Sequence, residues 1–274
     1  KIEWSKSFAK KLCSAAGIPT PVSRIADSPV SAVEILEGLD WGSGREYAVK
    51  ADGLAAGKGV ALVGSKREAI DAMESLAVHG HRFLVEDRVG GIESSWFAFV
   101  DGETFSLLDP ARDYKRLGEG STGPNTGGMG AVSPAPDSTP ELRERIRREV
   151  FSPIVSELKK RGIVYRGLLY AGMMIDGDRL NLLEFNARFG DPETEALLPR
   201  MESDLLEWIG AVSEGTLVDY PRDVPFRPDH SVYVVAAAPG YPGKASTGIP
   251  IPLHPAAFAG DDYRFAGLSA GKGG

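Results

Sequence analysis

Residues 48–62, AVKADGLAAGKGVAL, carry the strongest indication of the fold. Two runs of β-forming residues, EYAVKA and GVALV, flank a glycine-rich turn, which predicts a β-hairpin. Lys50 ends the first run and Lys58 lies within the turn. Glycines let a backbone approach an anion closely, and lysines supply charge to a polyphosphate. The stretch therefore predicts either a hairpin that covers phosphates or an ordinary turn.

A standard P-loop is the obvious competitor for this stretch, but the spacing does not fit it. Three residues separate Gly53 from Gly57, where the P-loop has four. Gly59 also follows Lys58, where the P-loop has Ser or Thr.

Residues 183–193, LEFNARFGDPE, suggest a metal site. Glu184 and Asn186 share one face of a strand, since side chains alternate with a period of two. A carboxylate and an amide oxygen suit a hard cation such as magnesium. Arg188 continues the same alternation, so it could place a positive charge beside the metal, where a transferring phosphoryl group gathers negative charge. The GDPE that follows adds Asp191 and Glu193 on a turn. The alternative is a solvated strand end with Arg188 paired to Asp191.

Two further segments carry candidate residues. In FLVEDRVGGIESS, residues 83–95, an apolar strand is followed by Glu86-Asp87, two glycines and Glu93. This order resembles a hinge segment between two lobes. In RDYKR, residues 112–116, charged residues precede a glycine-rich loop over 117–130, which suits a polar substrate under a lid. The alternative for residues 83–95 is an ordinary strand that leads into a loop, and the alternative for residues 112–116 is a solvated cluster of charges.

The order of predicted elements indicates an α+β fold with antiparallel hairpins and helices mixed. Hairpins are predicted over 46–63, 93–108 and 167–189. Helices are predicted over 5–17, 67–80, 137–162 and 192–215, and a strand over 231–240.

The length, composition and charge of the chain argue against several classes of protein function. The length of 274 residues suits one or two domains. The net charge of -7 argues against general nucleic-acid binding. A single cysteine, Cys13, forms no internal disulfide and suits a reducing compartment. No apolar run approaches the ~20 residues that cross a bilayer, and no signal peptide is visible, so a cytoplasmic protein without membrane partners is expected. Four histidines and no G-x-S-x-G elbow argue against zinc and serine-hydrolase chemistry.

Together these segments resemble the glycinamide ribonucleotide synthetase (phosphoribosylamine–glycine ligase) family. The resemblance covers nearly the whole chain, from about Ser5 to about Gly243. The strings that carry it are SKSFAKKL, GIPTP, VKADGLAAGKGV, DYKR, TGPNTGGMGA, SPAP and LEFNARFGDPET. The resemblance implies an ATP-grasp fold, in which two lobes with antiparallel sheets hold ATP between them. It implies an ATP-grasp domain over 1–225, with a small lobe at about 45–100 inserted in the larger one. Residues 226–274 would begin a C-terminal domain.

The resemblance also implies a reaction: ATP, glycine and 5-phosphoribosylamine give glycinamide ribonucleotide, ADP and phosphate through an acyl phosphate. Magnesium or manganese would assist as metal. Several positions of this sequence would bind ATP: Lys6, Lys50, Gly53, Gly57, Lys58, Gly59, Glu86, Asp87, Val89 and Glu93. Glu184 and Asn186 would bind the metal, and Arg188 would meet the transferring phosphoryl. Asp113, Lys115, Asp191 and Pro192 are the candidates for the glycine and amine site.

The sequence departs from the family pattern near that acceptor site. Arg112 stands where the family usually has Gln, and Tyr114 where it usually has His. Trp4 replaces a usual Gly, and Asp87 replaces the second Glu of the hinge. A diverged ligase for other substrates and a nucleotide-binding domain without turnover are therefore the alternatives. The family's N-terminal glycine-rich domain is not in these 274 residues, so this piece is expected to bind ATP and magnesium but to ligate poorly alone.

Overall fold

The computed structural model describes residues 1–53, 59–250 and 266–267, which divide between two compact units, Lys1–Val235 and Ala236–Gly274. The mixture of helices and strands confirms the predicted α+β class. The helices are α1 (Lys6–Ala16), α2 (Pro29–Glu37), α3 (Lys66–Leu76), α4 (Pro140–Ile146), α5 (Ser152–Lys160), α6 (Glu193–Leu197) and α7 (Leu205–Glu214). The strands are β1 (Ser23–Ala26), β2 (Tyr47–Ala51), β3 (Val60–Val63), β4 (Phe83–Asp87), β5 (Ile92–Val100), β6 (Phe105–Leu107), β7 (Arg112–Asp113), β8 (Arg116–Gly118), β9 (Thr122–Asn125), β10 (Gly130–Ser133), β11 (Gly167–Asp176), β12 (Arg179–Asn186) and β13 (Ser231–Val234).

Antiparallel pairing arranges these strands into four sheets. The N-terminal sheet has the order β1-β4-β2-β3, and the central sheet has the order β12-β11-β5-β6. A third sheet has the order β13-β10-β7, and β8 pairs with β9 alone. The three predicted hairpins are confirmed, since β2 pairs with β3, β5 with β6 and β11 with β12.

The N-terminal sheet buries one face under α2 and α3. Leu36 of α2 and Met73 of α3 pack with Val49 and Val85 of the strands. No helix is predicted at α2, although Ser28 caps it with a capping box and a proline follows in its first turn. The strands of this sheet run from Ser23 to Asp87, whereas the small lobe is predicted over about 45–100, and that boundary stays a prediction.

The central sheet is covered on both faces, so β5 is buried along most of its length. Trp96 belongs to a cluster that includes α1 and α5, while its neighbour Phe97 belongs to a second cluster on the opposite face. Trp208 of α7 stacks on Phe99 in that second cluster, with ring centroids 5.7 Å apart. Each fully buried aromatic contributes roughly 1.5–3 kcal/mol. Along β12 buried residues alternate with more exposed ones, so its polar side chains Glu184 and Asn186 lie outside this core.

The glycine-rich stretch at 117–130 differs from the predicted loop. It contains the β8–β9 hairpin, in which Arg116 is paired with Asn125 and Gly118 with Thr122. Gly120 takes a left-handed φ of 63° between the strands, a conformation open to glycine at little cost. The hairpin lies almost wholly exposed, which explains why its sequence has few apolar side chains, and its Leu117 is itself exposed.

Two predicted helices are interrupted. Between α4 and α5, residues Arg147–Phe151 form a π-helix, because Pro153 has no N–H to donate to the carbonyl of Glu149. Over 192–215, α6 is followed by a 3-10 turn, Leu198–Arg200, where the helical segment ends. α7 then begins after the Asp204 cap, whose carboxylate accepts from the backbone N–H of Leu206 at 2.8 Å. No helix among the described residues is long and apolar enough to cross a membrane.

Residues 88–91 carry the chain from the N-terminal sheet to the central sheet. Gly91 adopts a φ of 129°, and a Cβ at this position would lie 2.3 Å from the carbonyl oxygen of Ile175 on β11. The connection is therefore packed directly against the central sheet.

Candidate active site

A cleft of about 620 Å³ opens at the edge of the central sheet. It gathers predicted site residues from widely separated parts of the chain: Lys6, Gly53, Gly59, Asp113, Lys115, Glu184, Asn186, Arg188 and Asp191. Gly57 and Lys58 lie outside the described residues. The cleft has a cationic end near α1 and β2 and an acidic end near β7 and α6.

Lys6 lies at the cationic end, in the first turn of α1. Ser5 caps this helix by accepting from the backbone N–H of Phe8. The ammonium of Lys6 donates to the carbonyl oxygens of Ala51 and Gly53, both at 3.0 Å. Burial lowers the pKa of Lys6, partly offset by Glu184. An anion entering the cleft would therefore meet a partly desolvated cation held over the start of the glycine turn.

A buried ionic cluster lies beside Lys6. Glu86 of β4 pairs with Lys50 of β2 at 2.7 Å and with Lys10 of α1 at 3.0 Å. Lys10 also donates to the hydroxyl of Thr20, which in turn donates to the carbonyl oxygen of Leu182 on β12 at 2.8 Å. Burial lowers the pKa of Lys10. The cluster ties both sheets to α1 and carries two cations for one carboxylate.

The other predicted hinge residues, Asp87, Val89 and Glu93, lie outside the ionic cluster of Glu86. The carboxylate of Asp87 pairs with Arg24 at 2.7 Å, and the side chains of Asp87 and Val89 are not among those that line the cleft. Glu93, the predicted ribose ligand, pairs with Lys115 at the acidic end. Adenine contacts through the backbone of residues 86–89 stay a prediction.

The predicted metal ligands lie side by side on β12. Phe185 between them is buried in the core, so Glu184 and Asn186 both face the cleft. Their side chains are 3.3 Å apart, between the amide nitrogen and Oε1. Among the described residues no cluster of three or more His, Cys, Asp or Glu could hold a metal. One carboxylate and one amide fit magnesium, which usually takes few protein ligands and completes its shell with phosphate and water.

Arg188 lines the cleft just beyond β12 and pairs with Glu3, not with Asp191. Its Nε lies 3.1 Å from Oε1 of Glu3, and the backbone N–H of Ala187 donates to the other carboxylate oxygen at 3.2 Å. The side chain of Arg188 is 57% exposed. The alternative of an Arg188–Asp191 pair is therefore wrong.

The acidic end of the cleft surrounds Asp113 and Lys115. Burial raises the pKa of Asp113 to about 7; Lys115 opposes this shift, and Glu193 and Glu93 add to it. Burial also disfavours the charged form of Lys115, but Glu93 and Asp113 outweigh it and raise the pKa of Lys115. Asp113 is therefore a carboxyl group that can exchange a proton near neutral pH.

Residues 4–194 match the family model described as phosphoribosylglycinamide synthetase, ATP-grasp (A) domain. The chain belongs to this family. Phosphoribosylamine–glycine ligases of Brucella melitensis biotype 1 and Nostoc sp. are 40% and 42% identical to it, covering 90% and 91% of the chain and 58% and 60% of their own lengths. The chain thus spans less than two thirds of these relatives.

Solved structures agree with the family. The phosphoribosylamine–glycine ligase of Thermotoga maritima superposes with a TM-score of 0.79 at 33% identity, over 89% of this chain and 62% of that one. The biotin carboxylase domain of the Hydrogenobacter thermophilus 2-oxoglutarate carboxylase, a complex with MgADP, superposes with a TM-score of 0.64 at 18% identity, over 84% and 49%. The predicted ATP-grasp fold is confirmed.

Two departures from the pattern of the glycinamide ribonucleotide synthetase family lie away from the cleft. Arg112 pairs with Asp137, because neighbouring residues of β7 point to opposite faces and Asp113 takes the cleft side. Tyr114 is 44% exposed and does not line the cleft. The sequence differences at 112 and 114 therefore give no support to a different substrate.

The sequence analysis does not identify several residues in or beside the cleft. Glu3 and Tyr170 line the cleft, and Lys10 and Ser95 contact Glu86 and Glu193 beside it, but no local pattern assigns a role to any of the four. The sequence places Glu193 only on the turn after β12. Lys10 follows Lys6 by one helical turn, a spacing that could have indicated a shared face. The others depend on contacts between distant residues, which no local pattern contains.

Proposed function

We propose that the protein containing this chain is a phosphoribosylamine–glycine ligase. Glycine and 5-phosphoribosylamine would be joined at the expense of ATP, giving glycinamide ribonucleotide, ADP and phosphate. Family membership and relatives of that name support the proposal. The observation that carries it is the cleft, which combines cations from α1, oxygen ligands from β12 and a carboxyl–lysine pair from 113–115.

The cationic end suits the phosphates of ATP. Lys6 comes from α1 and faces the carboxylates of Glu184 and Asp52. Lys10 and Lys50 are both buried and share the single carboxylate of Glu86, which leaves one surplus positive charge in that cluster. The excess positive charge is held in a poorly hydrated site, where it attracts a polyphosphate more strongly than in water.

The residues of β12 suit the phosphoryl-transfer step. A magnesium ion held by Glu184 and Asn186 would polarise the phosphoryl oxygens and neutralise their developing charge. Arg188, free to turn from Glu3 because it is largely exposed, would add positive charge on the same side. A carboxylate oxygen of glycine attacks the γ-phosphorus of ATP, the bond to the bridging oxygen breaks, and ADP leaves.

The acidic end suits the second step. The neutral amine of phosphoribosylamine attacks the carbonyl carbon of glycyl phosphate, the carbon–oxygen bond to phosphate breaks, and one proton is lost from nitrogen. Asp113, with a pKa near 7, can accept that proton. Lys115 beside it can balance negative charge on the departing phosphate.

The test is a reconstitution with the full-length protein. ADP formation is measured with ATP and magnesium in the presence of glycine, phosphoribosylamine, both or neither, and the organic product is identified by mass spectrometry. We expect ADP, phosphate and glycinamide ribonucleotide in equal amounts only when all substrates are present.

Alanine in place of glycine serves as the matched control, and it should give no comparable product. Equal turnover with alanine, or ADP formation that ignores phosphoribosylamine, would contradict the proposed ligase.

A further inference from the structure

Glu193 is a buried carboxylate without a cationic partner among the described residues. It is the first residue of α6, lines the cleft and is only 3% exposed. A carboxylate buried to this extent is normally paired with a cation, because an isolated buried charge is costly. Its Oε1 instead accepts one hydrogen bond, from the hydroxyl of Ser95 at 2.8 Å.

A relay of hydroxyl groups fixes this carboxylate. The Ser95 hydroxyl lies 2.9 Å from the hydroxyl of Tyr170. Since Ser95 has a single hydroxyl proton and gives it to Glu193, Tyr170 must donate to Ser95. Burial, together with Glu193, Asp113 and Glu184, raises the pKa of Tyr170 well above its usual value, so the phenol keeps its proton. All three members of the relay are buried.

The backbone beside Glu193 leaves room for the carboxylate. A Cβ at position 190 would lie 2.3 Å from Oε2 of Glu193, so only glycine leaves this space free. The hydroxyl of Thr194 donates to the carbonyl oxygen of Gly190 and fixes the turn. The second oxygen of Glu193 is thereby held against the turn that borders the cleft.

The neighbouring charges do not neutralise Glu193. Among the described residues, the carboxyl groups of Glu193, Asp113 and Glu93 share one ammonium at this end, that of Lys115, which pairs with Glu93 and lies 3.8 Å from Asp113. Glu184 of β12 adds a further carboxylate nearby. At the opposite end, Lys10 and Lys50 share the single carboxylate of Glu86, so that cluster carries a surplus positive charge. The cleft is therefore polarised, with unpaired negative charge at the end near α6.

A zwitterionic α-amino acid fits this polarity in one orientation. Its carboxylate would face the metal ligands and Arg188, where phosphorylation is proposed, and its ammonium would face the acidic end. The amine of phosphoribosylamine fits less well, because it must be neutral to attack. The charge distribution therefore favours the amino acid as the partner of Glu193.

We propose that Glu193, held by Ser95 and Tyr170, binds the ammonium group of the amino-acid substrate and so directs the carboxylate of that substrate toward Glu184, Asn186 and Arg188. This inference rests on the proposed ligase function. Ser95 and Tyr170 are positioning residues, since they act on the substrate only through Glu193.

The test uses Glu193→Gln in the full-length protein, a change that keeps the size and the acceptor for Ser95 but removes the charge. We expect the KM for glycine to rise about tenfold or more, because a hydrogen bond between charged groups is lost. The KM values for ATP and phosphoribosylamine should stay within about twofold. Tyr170→Phe should raise the KM for glycine less, since the charge remains but loses its anchor. Glu207→Gln, an exposed glutamate of α7, is the matched control.

The outcomes separate the two proposals. A wild-type protein that makes no glycinamide ribonucleotide contradicts the ligase function before any variant is needed. If the wild type is active, an unchanged KM for glycine in Glu193→Gln, or a rise confined to phosphoribosylamine, overturns the role of Glu193. Thermal unfolding checks that each variant is folded. Should Glu193→Gln not fold, the KM for glycine of Tyr170→Phe decides: a selective rise supports the proposal, and no rise overturns it.

Discussion

Glu184 and Asn186 depend on Phe185 for their position. The buried ring anchors this end of β12 in the core, and the residues on either side are turned to the cleft by strand alternation. Glu184 is exposed and makes no ion pair among the described residues, so its charge is available to a cation. The side chain therefore contributes to the site and little to the stability of the fold.

Glu184→Gln should abolish most metal-dependent turnover while leaving the fold intact. The variant keeps one oxygen but loses the charge that attracts a divalent ion, and each factor of ten in rate corresponds to about 1.4 kcal/mol. We expect ADP formation to fall about a hundredfold or more, with partial recovery at high magnesium. A magnesium titration of the rate measures this, and thermal unfolding provides the control. Turnover within a few-fold of wild type would contradict the assignment of Glu184 as a metal ligand.

At the scale of elements, local patterns predict the hairpins and most helices, because turn dipeptides and apolar spacing are local properties. They miss the π-helix at 147–151, where Pro153 disrupts the bonding, and the pairing of β8 with β9, where glycines make the turn. The site follows the same division. Site residues that belong to one short sequence motif, such as Glu184 and Asn186, are predicted. The pairs Lys10–Glu86 and Ser95–Glu193 join residues distant in sequence, so no local pattern predicts them.

Lys10 connects α1 to both sheets, to β4 through Glu86 and to β12 through Thr20. Replacing it by Met keeps the length of the side chain but leaves one oxygen of Glu86 without its cation and the hydroxyl of Thr20 without its donor. We expect Lys10→Met to lower the free energy of unfolding by roughly 1–3 kcal/mol, measured by chemical denaturation. Lys11→Met, the exposed next residue of α1, should change it by about 0.5 kcal/mol or less. Equal changes in the free energy of unfolding for the two variants would contradict the proposal that Lys10 stabilises the contact between α1 and the sheets.

At the scale of the whole first unit, the cleft depends on how the N-terminal sheet is joined to the central sheet. α1 packs on the core of the central sheet, yet Lys6 and Lys10 reach residues of the N-terminal sheet. The second link is the connection 88–91, which leaves Asp87 and enters β5. The family resemblance predicts two lobes around ATP, but the packing that fixes this link is visible only in three dimensions.

Gly91 should be indispensable in that connection, and its neighbour Gly90 should not. A Cβ at Gly91 would lie 2.3 Å from the backbone oxygen of Ile175, and its φ of 129° is one that other residues rarely adopt. Gly91→Ala should therefore lower the free energy of unfolding by at least about 1–3 kcal/mol.

A Cβ at Gly90 meets nothing within 4 Å and φ there lies outside the left-handed range, so Gly90→Ala should leave stability unchanged or raise it by up to about 1 kcal/mol. Chemical denaturation of the two variants side by side measures the difference, and calorimetric titration with ATP asks whether the strained link also weakens nucleotide binding. Because both changes add the same methyl group to the same connection, a difference between them reports the packing against β11 together with the backbone strain at position 91. Equal stability of the two variants would mean that the connection can move away from the central sheet, and that α1 and the segment after it, which bonds to Leu182 of β12, hold the two sheets around the cleft.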